Sequence, residues 1–229
     1  MFPKALAAGP DIICVDLEDA IAPQDKTRAR SATFELFNQL PANPADCELL
    51  VRVNSLRSAD GLADILAVVD ADKPPPGLML PKVKSPDEIC LLEEILESVA
   101  HPVRLQLIIE TNEGLEACHE IAHASHRTDA LLFGGADMAA ELRVAPTWAA
   151  LVHARATLVH AAAGAGIDLI DVPFLDLNDL DGLEREAKLC AELGMTGKGA
   201  IHPKQLPIIE HCFSPNGEQI AQAKRITQA

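Results

Sequence analysis

Short apolar runs recur along the chain, each broken by turn residues and followed by a longer segment in which apolar positions return every three or four residues. The runs are Asp11 to Leu17, Glu48 to Val53, Leu78 to Leu80, Leu105 to Ile109, Ala130 to Phe133, Ile167 to Val172 and Met195 to Ile201. Near-continuous apolar character over so few residues predicts strands buried on both faces, as in a parallel sheet. The longer segments predict helices over about Asp25 to Gln39, Gly61 to Val69, Pro86 to Ala100, Thr147 to Ala163 and Leu180 to Leu193, with another after Glu110 to Gly114. Pro86 suits a first helical turn, and Gly164 and Gly194 suit helix stops. The tail carries two more helical stretches, parted by Ser214-Pro215-Asn216-Gly217. Strand and helix alternate seven times with no linker or low-complexity segment. That pattern predicts an α/β protein built as a right-handed parallel βα array.

Charged and polar residues gather where these strands end: Glu18, Asp19, Arg52, Lys82, Glu110, Asp137 and His202. In a TIM-type (β/α) barrel the C-terminal ends of the strands carry the active site, and the placement fits that architecture better than a doubly wound sheet. Seven strands are one fewer than closure requires. The stretch LQLIIETNEG is central, because its strand ends on Glu110, while ALLF runs into GGAD and delivers Asp137 to the same side. Two carboxylates on adjacent strand ends suit magnesium, which takes oxygen ligands. They suit equally a plainer role as caps of the following helices. Arg52, between two valines, needs an anionic partner and is a candidate carboxylate clamp. Lys26, Arg28 and Arg30 crowd a helix start, where positive charge either faces solvent or answers an anionic ligand.

Composition narrows the partners. A chain of 229 residues with 48% hydrophobic content has ample core, and its formal charge of -15 excludes nucleic acid and anionic membrane as main partners. An anionic small molecule needs only a local basic pocket. Six cysteines without CxxC spacing are expected to be free, mostly buried thiols of a reducing compartment. No targeting segment or membrane span is visible, so a cytoplasmic location is expected. One motif competes: His119-Glu120-Ile121-Ala122-His123 matches the HExxH pattern of zinc hydrolases. Its helix belongs to the outer ring of a βα array, and the motif is read as solvated helix surface.

Seven segments together resemble the citrate lyase β-subunit-like acyl-CoA lyases of the aldolase/citrate lyase superfamily. They are DIICVDLEDAIAPQDKTRAR, VRVNS, LMLPKV, LIIETNEG, FGGADMAAEL, IDLIDVPFLDLNDLDGL and TGKGAIHPKQ, in family order across nearly the whole chain. The resemblance implies a TIM-type barrel, a homo-oligomer with a trimer favoured, and a Mg2+-dependent lyase. Such an enzyme cleaves a 3-hydroxyacyl-CoA thioester of the citryl-, malyl- or citramalyl-CoA type into an acyl-CoA and a 2-oxoacid. It places the metal ligands on Glu110 and Asp137, the substrate clamp on Arg52 and the acidic catalytic cluster on Glu18 and Asp19. Lys4, Lys26 and Arg30 are the candidates for the CoA phosphates. A thioesterase on the same scaffold and a non-catalytic subunit binding metal and CoA ester are the alternatives, as is a Schiff-base aldolase using Lys82.

Two family features lack a counterpart, the first strand of the LFVPG type and the C-terminal lid. The expected division is therefore a barrel over residues 1–211 and a helical tail over 212–229, the start of a truncated lid. Without the first strand, the strands at Asp11 to Leu17 and Met195 to Ile201 become open edges, which assembly or the terminal segments are expected to cover.

Overall fold

The computed structural model describes residues 2–40, 47–99 and 101–227. Its framework is a single seven-stranded parallel sheet in sequence order: β1 (Ile12–Asp16), β2 (Glu48–Arg52), β3 (Gly77–Leu80), β4 (Arg104–Ile109), β5 (Thr128–Phe133), β6 (Asp168–Asp171) and β7 (Gly197–Lys198). Every neighbouring pair is parallel. This is the TIM-type arrangement, with β1 and β7 as its two edges.

Eleven helices accompany the strands among the described residues. α1 (Phe2–Leu6) precedes β1, α2 (Lys26–Gln39) and α3 (Ala59–Val69) follow β1 and β2, and α4 (Pro86–Leu96) follows β3. After β4 come α5 (Asn112–Glu116) and α6 (Cys118–Ala122), and after β5 come α7 (Gly135–Leu142) and α8 (Trp148–Ala165). α9 (Leu180–Leu193) follows β6, and α10 (Leu206–Phe213) and α11 (Gly217–Thr227) close the chain. Thr147 caps α8 and Ser58 caps α3 by accepting an amide proton from the first turn.

The core lies between sheet and helices. Alternate strand residues, among them Ile13, Leu49, Val51, Leu78, Leu80, Leu105, Leu107, Leu131 and Leu169, are buried there because successive side chains point to opposite faces. The other face carries Cys14, whose sulfur lies 3.9 Å from that of Met79.

Several boundaries differ from the sequence reading. The run Met195 to Ile201 pairs only over Gly197–Lys198, because two glycines in MTGKGAI weaken a strand; Gly199 still donates its amide to the Asp171 carbonyl at 2.8 Å and packs closely on the Pro173 ring. α8 passes through Gly164 and stops at Gly166, whose φ of 69° needs the left-handed freedom of glycine. The helix after Glu110 is two short pieces, and α1 and α7 add to the expected set. α4 ends at Leu96, and Ala100 lies outside the described residues. The cysteines are free, but the expectation of mostly buried thiols is corrected: only Cys118 and Cys190 are buried, whereas Cys14 and Cys90 are exposed. No described helix is long and apolar enough to cross a membrane.

Candidate active site

The sheet brings Asp16, Glu18, Arg52, Lys82 and Asp137 into one ion-paired cluster at the C-terminal ends of β1, β2, β3 and β5, with Glu110 joining from the end of β4. Asp16 and Arg52 are register partners on adjacent strands. The Arg52 guanidinium donates from Nε to Asp16 Oδ1 at 2.7 Å and from Nη2 to Asp16 Oδ2 at 2.5 Å. Its Nη1 lies 3.1 Å from Glu18 Oε2. The Asp16 carboxylate also accepts the Glu18 and Ala20 amides, which shapes the turn that carries Glu18 and Asp19. Burial alone would push its pKa up, but the Arg52 hydrogen bonds and the backbone amides outweigh it and hold the group low.

Lys82 stands in the middle of the acids. Its ammonium donates to Glu18, lies 3.6 Å from Asp137 Oδ2 and reaches Asp19 at 3.9 Å. Its backbone is left-handed, with φ 55°, a conformation that L side chains adopt at a cost. In that conformation its amide donates to Glu110 Oε1 at 2.9 Å. Glu110 is almost wholly buried, and burial, reinforced by the Asp137 charge, pushes its pKa to about 8. Glu18 is also buried, and desolvation raises its pKa in spite of Lys82 and Arg52. Its Oε2 is a buried atom without a hydrogen bond, since the nearby Nη1 is not aimed at it.

These features fit a hard divalent cation. Five carboxylates (Asp16, Glu18, Asp19, Glu110 and Asp137) face two cations, Arg52 and Lys82, so the cluster carries surplus negative charge. Gly134 makes the room for Glu110: a Cβ there would come within 2.4 Å of Glu110 Oε2. All the donors are oxygens. No three described His, Cys, Asp or Glu side chains close into a metal cage, and magnesium ordinarily binds through one or two carboxylates with water or substrate supplying the rest.

The expected phosphate ligands are placed differently. Lys26 directs its ammonium inward, donating to the Leu17 and Glu18 carbonyls at 2.8 and 2.6 Å and to Asn54 Oδ1 at 2.7 Å. Arg30 donates from Nε to the fully buried Asp64 at 2.5 Å and also meets Asp60. Asp64 in turn accepts both the backbone and side-chain N–H groups of Asn54. Lys26 and Arg30, expected at the CoA phosphates, use these bonds to tie α2 and α3 to the ends of β1 and β2. Lys4 is exposed on α1, which a short turn joins to the N-terminal end of β1, the end away from the acids. Arg28 is exposed and pairs with Asp25. His119, Glu120 and His123 are solvent-facing, and His123 Nδ1 is bonded to the His119 carbonyl at 2.7 Å, in keeping with a solvated helix. His202 caps the turn Pro203–Gln205 by accepting the Lys204 amide.

Comparison with known proteins now decides the family. The HpcH/HpaI aldolase/citrate lyase pattern matches residues 1–203. The chain belongs to that family. Within it, the L-malyl-CoA/beta-methylmalyl-CoA lyase of Cereibacter sphaeroides is 31% identical over an alignment that covers 100% of this chain and 80% of the relative. The citrate lyase subunit beta of Haemophilus influenzae is also 31% identical, over 96% and 77%. Among solved structures, RipC from Yersinia pestis superposes with a TM-score of 0.84 at 37% identity, covering 93% of each chain. CitE from Mycobacterium tuberculosis, in complex with magnesium, acetoacetate and coenzyme A, gives 0.78 at 29% identity over 99% of this chain and 81% of that one.

A second charged cluster of this family member has no spacing signal in the sequence. Asp171, at the end of β6, accepts Arg155 Nε at 2.8 Å and Lys198 Nζ at 2.5 Å, and Lys198 also donates to Glu186 at 2.7 Å and to the Val172 carbonyl. Arg155 lies between the Phe133 and Trp148 rings, 4.6 and 4.9 Å from their centres. Burial alone would raise the Asp171 pKa, but the two cations outweigh it and hold it low. The network locks β5, β6 and β7 to α8 and α9, and α8 packs on α7, the helix that carries Asp137 in its first turn.

Proposed function

We propose that this protein is a Mg2+-dependent lyase that cleaves the carbon–carbon bond of a 3-hydroxyacyl-CoA thioester of the malyl-, citramalyl- or citryl-CoA type, releasing an acyl-CoA and a 2-oxoacid. The observation that carries the reading is the convergence of Glu110 and Asp137 with Arg52 and a buried Glu18 oxygen that lacks a hydrogen bond. Support comes from one relative named as a lyase of malyl-CoA and beta-methylmalyl-CoA, another named as a citrate lyase subunit, and a solved relative that holds magnesium with coenzyme A.

Glu110 and Asp137 are the residues that would hold the metal. A bound magnesium ion supplies Lewis-acid stabilisation of negative charge developing on oxygen. Arg52 binds the carboxylate of the 2-oxoacid portion through N–H groups that Asp16 leaves free. Glu18, whose raised pKa makes it a better base than an exposed carboxylate, takes the proton of the 3-hydroxyl, with Asp19 as the neighbouring acid. The hydroxyl carbon becomes the oxo carbon of the 2-oxoacid as the carbon–carbon bond breaks. Its electron pair passes to the thioester enolate, which is protonated on carbon to give the acyl-CoA.

Lys82 does not suit the Schiff-base alternative. A nucleophilic amine needs a lowered pKa, whereas Glu18 and the nearby acids overcome burial and raise that of Lys82. We also read the protein as a cytoplasmic homo-oligomer, a trimer in preference, with residues 1–211 as the barrel and 212–229 as a tail. Support for assembly comes from the unpaired outer edges of β1 and β7, and from α11, whose described side chains are exposed even at Ile220 and Ile226. The test is incubation with a panel of 3-hydroxyacyl-CoA thioesters, with 2-oxoacid detected as its phenylhydrazone. Release that needs Mg2+ supports the function; no release from any member overturns it.

A further inference from the structure

We infer that Asp16 is a positioning residue for substrate: it holds the Arg52 guanidinium by its Nε–Nη2 edge so that the end-on edge alone is presented to the carboxylate of the 2-oxoacid partner. This rests on the lyase reading above and adds to it a residue that does not itself touch the reacting atoms.

The geometry engages both Asp16 oxygens, with Arg52 and with the turn after β1, and leaves neither for a metal or a proton. Oδ1 receives Arg52 Nε at 2.7 Å and the Glu18 amide at 2.8 Å, and Oδ2 receives Arg52 Nη2 at 2.5 Å and the Ala20 amide at 3.1 Å. A carboxylate with two donors on each oxygen is a poor base and a poor metal ligand. A guanidinium has five N–H donors in a planar fork, and Asp16 takes the pair formed by Nε and Nη2. What remains for a bidentate grip is the end-on pair formed by Nη1 and Nη2. In this arrangement Nη1 has only an ill-aimed Glu18 oxygen at 3.1 Å, and that oxygen is buried without a hydrogen bond. The end-on edge is therefore oriented, and its Nη1 makes an ion pair but no hydrogen bond among the described residues, as suits a receptor for a planar carboxylate. The two strands enforce the arrangement, since Asp16 and Arg52 are register partners. Through the Glu18 and Ala20 amides, the same carboxylate fixes the turn that bears the acidic cluster.

Asp16→Asn is the test, because its amide can accept one Arg52 N–H but turns an N–H2 group against the other. In the condensation direction the KM for the 2-oxoacid should rise about tenfold or more, the worth of a charged hydrogen bond. The KM for the acyl-CoA and the Mg2+-induced thermal shift should stay close to the parent values. Two further readouts do not depend on turnover: calorimetric affinity for oxalate in the presence of Mg2+ should fall to a similar degree, and the Arg52 Nε–H resonance in arginine-selective 15N spectra should lose its protection from exchange. If the parent cleaves no thioester, the lyase reading fails, and the Asp16 inference is judged on oxalate and the Arg52 resonance. Should Asp16→Asn fail to fold, Asp16→Glu, which keeps the charge but displaces it by a methylene, should show the same selective loss. Lower stability with unchanged 2-oxoacid KM and unchanged oxalate affinity would overturn the inference and leave Asp16 a structural ion-pair partner.

Discussion

Gly134 lies against Glu110 so closely that a Cβ on the glycine would sit 2.3 Å from the Glu110 Cβ and 2.4 Å from its Oε2. With a φ of -90° the glycine has no conformational need to be one; the space it leaves is the reason. Gly134→Ala should therefore push Glu110 out of its place, at a stability cost of about 1–3 kcal/mol for the overpacking, and should abolish the thermal stabilisation given by Mg2+. Differential scanning fluorimetry across a Mg2+ titration checks this. A variant that keeps the parent's Mg2+ response would show that Glu110 does not hold the metal.

The pKa of Glu110 sets a pH dependence whose sign can be worked out. The folded group titrates at about 8 and the ordinary value is 4.5, so between these the folded state binds more protons than the unfolded. Without metal, this carboxyl's contribution to stability is fully present below about 4.5 and is lost as pH rises through about 8. A cation that needs the anion gains over the same window, because fewer protons must be displaced. The Mg2+-induced rise in Tm should grow steadily from mildly acidic to mildly alkaline pH. A shift that is flat with pH would contradict the assignment of Glu110.

Lys198 is fully buried between Asp171 and Glu186. Lys198→Met takes a partner from the buried Asp171 and should cost about 3–5 kcal/mol, read by urea denaturation, while the Mg2+ affinity of the folded protein stays near the parent's. A loss below about 1 kcal/mol, the scale of an exposed pair, would mean that the network is weakly coupled to the fold.

Much of this was open to inspection in the chain. Seven apolar runs located the seven strands, since burial on both faces demands uninterrupted apolar residues. Acids and cations at the run ends marked the face on which the cluster lies. The partners of those charges were harder to read. Lys26 and Arg30 looked available, yet each found buried acceptors contributed from elsewhere, Asn54 and Asp64 among them. Helix spacing cannot reveal pairing across α2 and α3. Asp16 stands beside the more conspicuous Glu18 and Asp19, although its place near the end of the first run matches that of Arg52 near the end of the second. Asp171 and Lys198 carry no signal for another reason: both lie inside runs that read as buried strands, and a run does not show which charges will pair across it.

Lys82 offers a chemical test. Borohydride reduction in the presence of pyruvate or glyoxylate should leave no adduct on Lys82, because its amine is held charged among Glu18, Asp19 and Asp137. Intact-mass spectrometry checks this, and a reduced adduct that maps to Lys82 would mean covalent aldolase chemistry in place of the metal route.

The most direct measurement of the account is product analysis by mass spectrometry after incubating citramalyl-CoA or malyl-CoA with the protein, with and without Mg2+. The prediction is the paired appearance of an acyl-CoA and a 2-oxoacid in equal amounts, dependent on Mg2+ and absent from Glu110→Ala. Free coenzyme A with the intact hydroxy acid would show thioester hydrolysis without carbon–carbon cleavage, and would contradict it.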